Sequence, residues 1–168
     1  MYKFMAYSGI YTLKNKQKYK GNPNGIVYRS LWEKQCFMWC DTNSSVKSWV
    51  SEEVVIPYFY DVDKRYHRYF VDLLIQFEDK TVLVEIKPKK ETLPPEFKGR
   101  RTKRYLEESF TFVKNQNKWA AAKEYAEDRG WKFEVWTEDT LRAIGIMKQQ
   151  KLPALKPLKN NINKRKKS

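Results

Sequence analysis

Two neighbouring runs of alternating apolar residues constrain this chain more than any other part of its sequence. The first run is Phe70–Phe77 and the second is Thr81–Lys87, with a short charged turn between them. Both runs are rich in β-branched and aromatic residues, which predicts a β-hairpin. Because side chains alternate between the two faces of a strand, one face of this hairpin is entirely apolar. That face consists of Val71, Leu73, Ile75, Phe77, Val82, Val84 and Ile86.

Matching apolar residues across the hairpin predicts its register. The predicted pairs are Phe77 with Val82, Ile75 with Val84 and Leu73 with Ile86, joined by a two-residue loop at Asp79-Lys80. The other face then carries Asp72, Glu85 and Lys87. In this register Asp72 lies opposite Lys87 and diagonal to Glu85, so both carboxylates can reach one shared ion.

The charges on this second face have two interpretations. A solvated strand face commonly carries the pattern Glu-x-Lys. However, Leu74 and Leu83 lie on the same face and predict that it is partly covered. Charges are rarely buried without a partner or a metal ion. The pattern therefore favours a functional site over a solvated surface.

The net charge of +14 is concentrated at the two ends of the chain. Residues 1–32 contain six Lys or Arg and residues 148–168 contain eight, and neither segment contains an acidic residue. Residues 33–147 hold the other 20 of the 34 basic residues and all 20 acidic residues. Basic ends of this kind bind nucleic acid or keep a protein soluble. With a metal-site candidate between them, binding to a polyanion is favoured.

Several classes of protein are disfavoured by composition. No run of eighteen apolar residues is present, and the N-terminus lacks the apolar centre of a signal peptide, which predicts a cytosolic protein with no membrane contact. Cys36 and Cys40 lie four residues apart in a predicted helix, and His67 is the one histidine. A zinc site would lack ligands, so the two cysteines are predicted to be reduced thiols in the core.

The chain divides into three predicted segments. They are a basic, Tyr-rich N-terminal arm at 1–28, a core at 29–147 and a basic, disordered tail at 148–168. The tyrosines of the arm either stack on bases or pack on the core. Besides the hairpin, the predicted elements are a helix at 30–40, a loop and strand at 46–59, a helix at 104–129 with a break near Asn115, a strand at 132–136 and a short helix from Asp139. This order predicts an α/β domain with a mixed sheet.

A basic stretch containing prolines follows the hairpin and is predicted to lie over a phosphate backbone. The predicted DNA contacts from this stretch and the tail are Lys89, Lys90, Arg100, Arg101, Lys103, Arg104, Lys164, Arg165, Lys166 and Lys167.

The residues on the charged face resemble the motif of the PD-(D/E)xK nuclease superfamily. Asp72 matches its first acid, Glu85-Ile86-Lys87 matches acid-x-Lys on the next strand, and Glu33 matches an acid in a preceding helix. Val71 stands where a proline is usual. The segments at 30–33, 69–72, 84–88 and 131–138 resemble TnsA-like transposon endonucleases, and the resemblance covers about 28–146. The whole chain is similar to the head-completion nucleases of T-even-like phages.

The resemblance implies a restriction-endonuclease-like mixed sheet flanked by helices, and a Mg²⁺-dependent deoxyribonuclease with Mn²⁺ as a substitute ion. Asp72, Glu85 and the backbone carbonyl of Ile86 are the implied metal ligands. Lys87 is implied to orient the nucleophile or to stabilise charge on the phosphate. Glu33 has two interpretations: a catalytic residue on the metal side, or the second member of a capping box that begins at Ser30.

The implied substrate is double-stranded DNA in phage heads, cut by an endonuclease or an exonuclease during head completion before tail joining. The implied partners are phage head, portal or neck proteins, and the implied location is the host cytoplasm or the virion. Two other interpretations stay open. One is a non-catalytic structural protein that binds DNA ends, and the other is an endonuclease subunit that works only in a transposase-like complex.

Deleting residues 148–168 removes eight positive charges and no acid. We expect the slope of log affinity for DNA against log salt to become shallower by roughly 2 to 5, because each lost phosphate contact changes it by about 0.9. Cleavage at low salt should survive. The measurement is DNA affinity across a salt series, and an unchanged slope would mean that the tail contacts something other than DNA.

Overall fold

A four-stranded mixed sheet forms the centre of the protein. The structure is a computed structural model, and it describes residues 7–148. The strands are β1 (Gly9–Ile10), β2 (Val27–Tyr28), β3 (Ser48–Ser51), β4 (Val55–Tyr60), β5 (Arg65–Phe70), β6 (Leu73–Gln76), β7 (Thr81–Ile86) and β8 (Lys132–Trp136). The helices are α1 (Leu31–Thr42), α2 (Lys103–Glu127) and α3 (Glu138–Ala143). Short 3-10 turns lie at Lys16–Lys18 and Lys89–Thr92.

The central sheet has the strand order β3-β6-β7-β8. The first two pairings are antiparallel, and β7 pairs with β8 in parallel after the long crossover through α2. Strands β4 and β5 form a separate antiparallel hairpin, and β1 pairs with β2. The predicted α/β architecture, a mixed sheet flanked by helices, is confirmed.

Two hydrophobic clusters cover the two faces of the central sheet. Val82 and Val84 of β7 point into the cluster formed with α1 and the N-terminal segment. Leu83 lies between them in sequence and points into the cluster formed with α2 and the β4–β5 hairpin. Leu74 packs against the edge of this second cluster. The predicted alternation is therefore confirmed within β6 and β7, including partial cover of the charged face.

The predicted register of the hairpin is wrong by two residues. Ile75 pairs with Val82 and Leu73 pairs with Val84, where the prediction paired Ile75 with Val84. The two-residue loop lies at Glu78-Asp79, one residue earlier than predicted, since the N–H of Phe77 donates to the carbonyl of Lys80 at 2.8 Å. A slip of two residues leaves every side chain on its original face, so the apolar pattern fits both registers equally well. In the observed register, Asp72 is not opposite Lys87.

The predicted strand Phe70–Phe77 is also wrong, because the chain leaves one sheet and enters another within it. Strand β5 ends at Phe70 in the hairpin with β4, and β6 begins at Leu73 in the central sheet. At this crossing the N–H of Val71 donates to the carbonyl of Val54 at 3.0 Å. Val71 consequently packs into the α2 cluster and not with Leu73.

Helix α2 runs without interruption, so the predicted break near Asn115 is wrong. Asn115 is buried within the helix, and Ala122 and Ala126 are buried against the sheet and the hairpin. Helical packing thus overrides the low helix propensity of asparagine. After the helix, Gly130 adopts a φ of +68°, the left-handed conformation that ends helices and that glycine takes at little cost.

The N-terminal segment packs on the central domain. Tyr11 and Tyr19 are buried in the α1 cluster, and both rings contact Trp49 edge-on. Packing on the core is therefore the role of these two tyrosines, whereas Tyr7 is exposed. Tyr2 and the tail from residue 149 lie outside the described residues. Among the described helices, none combines the length and the apolar character that a membrane crossing requires.

The two cysteines of α1 are buried free thiols, as predicted. Burial raises the pKa of both thiols, and the charges of Asp72 and Glu33 raise that of Cys36 further. The raised pKa values disfavour the thiolate, which is the reactive form, at neutral pH.

Asp41 at the end of α1 holds the N-terminal segment in place. Its fully buried carboxylate accepts hydrogen bonds from the Tyr11 hydroxyl at 3.0 Å and from the backbone N–H groups of Lys14 at 2.7 Å and Asn15 at 2.9 Å. These three donors have no comparable substitute if the carboxylate is removed.

We expect Asp41→Ala to lower the free energy of unfolding by roughly 2–4 kcal/mol, because it leaves several donors unsatisfied in the interior. Urea denaturation measures the effect. Asp128→Ala is the control, since Asp128 is exposed at the end of α2. Equal stability of the two variants would show that Asp41 does not anchor the segment.

Candidate active site

Asp72 and Glu85 lie together at the end of the β6–β7 pairing. The last paired residues are Leu73 and Val84, and Asp72 and Glu85 are the next residue on each strand. The N–H of Ile86 donates to Oδ2 of Asp72 at 2.7 Å, which fixes the first carboxylate against β7. The pairing therefore brings the two predicted acids side by side, although through a register different from the predicted one.

The surroundings of Asp72 disfavour its negative charge. Burial raises the pKa of this carboxyl well above its usual value, and the neighbouring charge of Glu85 raises it further. The hydrogen bond from Ile86 and the charge of Lys87 oppose this shift, but they are weaker. A cation bound beside Asp72 would relieve both unfavourable effects.

Glu85 is buried and is held by two side chains. The hydroxyl of Tyr69 donates to Oε2 of Glu85 at 2.7 Å, and the ammonium of Lys87 lies 3.3 Å from Oε1. Burial and the charge of Glu85 raise the pKa of Tyr69, so the phenol keeps its proton and remains a donor. The sequence pattern predicted Glu85 and Lys87, but Tyr69 has a role in this site that the pattern did not indicate.

The donors at this site fit a hard divalent cation. Two carboxylates from different strands, with the backbone carbonyl of Ile86 nearby in the chain, are the oxygen donors that such ions prefer when they retain several waters. Within residues 7–148, no group of three or more His, Cys, Asp or Glu side chains is arranged to hold a metal. The carbonyl and water would therefore have to complete the coordination of an ion between Asp72 and Glu85.

Glu33 forms the capping structure of α1. Its backbone N–H donates to Oγ of Ser30 at 3.1 Å, and the Ser30 hydroxyl donates to Oε1 of Glu33 at 2.9 Å. Oε2 of Glu33 accepts the N–H of Arg29 at 2.7 Å. The charge of Glu33 also contributes to the raised pKa of Asp72, so the two carboxylates are electrostatically coupled. Its capping role is thus observed, and its catalytic role stays a prediction.

A lysine of α2 also lies beside the site. The ammonium of Lys118 is 5.2 Å from the centre of the Tyr69 ring. Burial lowers the pKa of Lys118, and the charges of Glu85, Lys87 and Asp72 also act on it. The sequence analysis did not identify Lys118. This residue lies more than thirty residues after the acid-x-Lys motif, and the local pattern of a helix does not show against which strand the helix packs.

The predicted DNA contacts near the hairpin differ in their surroundings. Lys89 pairs with Asp139 at 2.8 Å, Lys103 with Glu107 at 3.8 Å and Arg104 with Glu108 at 2.8 Å. Lys90, Arg100 and Arg101 are exposed. The predicted contacts Lys164, Arg165, Lys166 and Lys167 lie outside the described residues. All ten contacts stay predictions.

Comparison with known proteins identifies the family of this chain. Residues 43–138, more than half of the chain, match the family model described as TnsA-like endonuclease N terminal. The chain is also 46% identical over 147 residues to a protein named head completion nuclease from Enterobacteria phage T4. That alignment covers 84% of this chain and 98% of the phage T4 protein. The chain therefore belongs to the TnsA-like endonuclease family within the PD-(D/E)xK nuclease superfamily.

Proposed function

We propose that the protein is a Mg²⁺-dependent deoxyribonuclease that hydrolyses phosphodiester bonds of double-stranded DNA. The observation that carries this proposal is the pair of adjacent carboxylates, Asp72 and Glu85, with Lys87 beside them at the end of a sheet in this family's fold. The excess of basic residues supports a polyanionic substrate.

Asp72, Glu85 and the carbonyl of Ile86 would hold the ion. When bound, Mg²⁺ would polarise the scissile phosphate and increase the acidity of a coordinated water. The ammonium of Lys87 orients the attacking water or stabilises negative charge that builds on the phosphate. The N–H of Ile86 and the hydroxyl of Tyr69 fix the two carboxylates, so little reorganisation is needed when the substrate arrives.

The proposed substrate is DNA packaged in phage heads. The relative from phage T4 is named for head completion, and its similarity over most of both chains supports the same role here. Action at that stage, before tail joining, would bring the protein into contact with head, portal or neck proteins. The host cytoplasm, and the virion if the protein stays with the head, are the proposed locations.

We expect Asp72→Asn and Glu85→Gln each to reduce cleavage of linear and circular DNA by at least about 100-fold, because each removes an anionic ligand that would hold the Mg²⁺ ion. Glu78→Gln in the turn of the same hairpin is the matched control, since Glu78 is exposed and pairs with Lys47. Lys87→Ala should also lose most of its activity but keep the rise in melting temperature that Mg²⁺ causes. Asp72→Asn should lose that rise, since binding to the folded state stabilises it.

Each result separates the proposal from its rivals. Normal cleavage by Asp72→Asn or Glu85→Gln would refute the proposed site. DNA binding without cleavage by the wild-type protein, with either Mg²⁺ or Mn²⁺, would support a structural protein that binds DNA ends. Cleavage that appears only after a transposase partner is added would support the subunit interpretation.

The raised pKa of Asp72 predicts a dependence of stability on pH. Because the folded-state pKa lies above the unfolded value, the favourable contribution of Asp72 is complete below the unfolded pKa, about 3.9. It is lost as the pH rises through the folded-state pKa. With EDTA present, Asp72→Asn should therefore raise the melting temperature more at pH 8 than at pH 4. Asp79→Asn, in the exposed turn, serves as the control, and a gain independent of pH would contradict the assignment.

A further inference from the structure

Lys118 carries a charge that the described part of the protein leaves without an acidic partner. Its side chain is half-buried on α2, and burial lowers its pKa. Among residues 7–148, no carboxylate lies within ion-pair distance of its ammonium, and its close contact is with the ring of Tyr69. The charge of Glu85 favours the ammonium form, but no described carboxylate pairs with it directly, which suggests that a ligand completes its contacts.

Lys114 lies one turn earlier on α2 and makes the same kind of ring contact, although its side chain is exposed. Its ammonium lies 5.0 Å from the centre of the Tyr60 ring, as that of Lys118 lies over Tyr69. Residues four apart share one face of a helix and are separated by about 6 Å along its axis. Two like charges at this spacing repel each other, so the pair is unfavourable in the free protein.

The other three cations of α2 differ from Lys114 and Lys118, because each of them forms an ion pair. The cations Lys103, Arg104 and Lys123 each pair with a glutamate four residues later on the same helix. Those pairs lie on exposed surface. The two lysines beside the tyrosines of the hairpin are thus the cations of α2 that lack such a glutamate within the described residues.

We infer that Lys114 and Lys118 form a phosphate-binding track on α2, which lays one DNA strand across the Asp72–Glu85 site. Lys118 contacts the phosphate at which cleavage occurs, and Lys114 contacts a neighbouring phosphate. This inference rests on the proposed function and names the side of the site that receives the substrate.

The charge balance of the site supports a second ammonium. Lys87 already lies 3.3 Å from Glu85, so much of its charge compensates that carboxylate. Lys118 has no such partner and is free to form charge-assisted hydrogen bonds with phosphate oxygens. The cation–π contacts with Tyr69 and Tyr60 restrict the positions of the two ammonium groups. The two groups are therefore preorganised to bind the phosphates of a DNA strand.

The test measures binding of a short fluorescein-labelled DNA duplex in EDTA across a salt series. The variants are Lys118→Gln, Lys114→Gln, the double variant and Lys118→Arg. Lys123→Gln is the matched control, because it removes the same charge from the same helix at an exposed position paired with Glu127. Each substitution within the track should flatten the slope of log affinity against log salt by about 0.9, and the double variant by about 1.8. Lys118→Arg should retain the wild-type slope.

Cleavage adds a second measurement. Lys118→Gln should lower kcat by about 100-fold, since it removes a donor at the reacting phosphate. Lys114→Gln should mainly raise KM, because its contact is the same in the ground and transition states. Melting temperatures establish that each variant is folded, and Lys118→Gln should be at least as stable as the wild type because it removes a desolvated charge.

The outcomes keep this inference separate from the proposed function. If the double variant binds DNA with the slope of Lys123→Gln, or if the wild-type protein does not bind DNA in EDTA, the track is refuted. In either of these cases the proposed function still stands, provided that the wild-type protein cleaves DNA with Mg²⁺. If slopes change as expected but no divalent ion supports cleavage by the wild type, the track is supported and the proposed catalytic function fails.

Discussion

The antiparallel pairing of β6 with β7 is the interaction on which the rest of the structure depends. Its last residue pair, Leu73 with Val84, is fully buried in the cluster formed with α1 and the N-terminal segment. The clusters fix which face each strand presents, and the end of the pairing sets Asp72 beside Glu85. Two carboxyl groups are thereby held together where water is limited. The apolar packing on both sides of the sheet stabilises the fold and so offsets the unfavourable free energy of burying these two groups together.

The site that results is rigid and unbalanced in charge. A backbone N–H fixes Asp72 and a phenol fixes Glu85, so neither carboxylate can easily turn away from the other. The raised pKa of Asp72 reflects its burial first and the repulsion from Glu85 second. A bound cation would neutralise the charge of the carboxylates, and the phosphate of a substrate would neutralise the charge of the nearby lysines. Unfavourable interactions of this kind in the ligand-free protein are common at functional sites, where the binding of a ligand relieves them.

The predicted hairpin illustrates how far sequence patterns reach. Alternation placed Val82, Val84 and Leu83 on their correct faces, because a side chain's face depends only on its parity along the strand. The register was wrong because a slip of two residues preserves parity. Phe70 ends β5, and the next two residues assigned to the strand, Val71 and Asp72, belong to a crossing between sheets. No local pattern separates such a crossing from a continuous strand, since both are extended and apolar.

The sequence by itself determined the motif residues, the α/β order of elements and the distribution of charge, because each is a local or countable property. Only the tertiary structure decided which charges meet. In the folded protein Tyr11 and Tyr19 are buried, and Tyr69 donates a hydrogen bond to Glu85. Lys118 of α2 lies beside the sheet, over the ring of Tyr69. These contacts join residues far apart in the chain, and they depend on how α2 and the β4–β5 hairpin pack over the sheet. That packing is a property of the whole core, so no local pattern contains it.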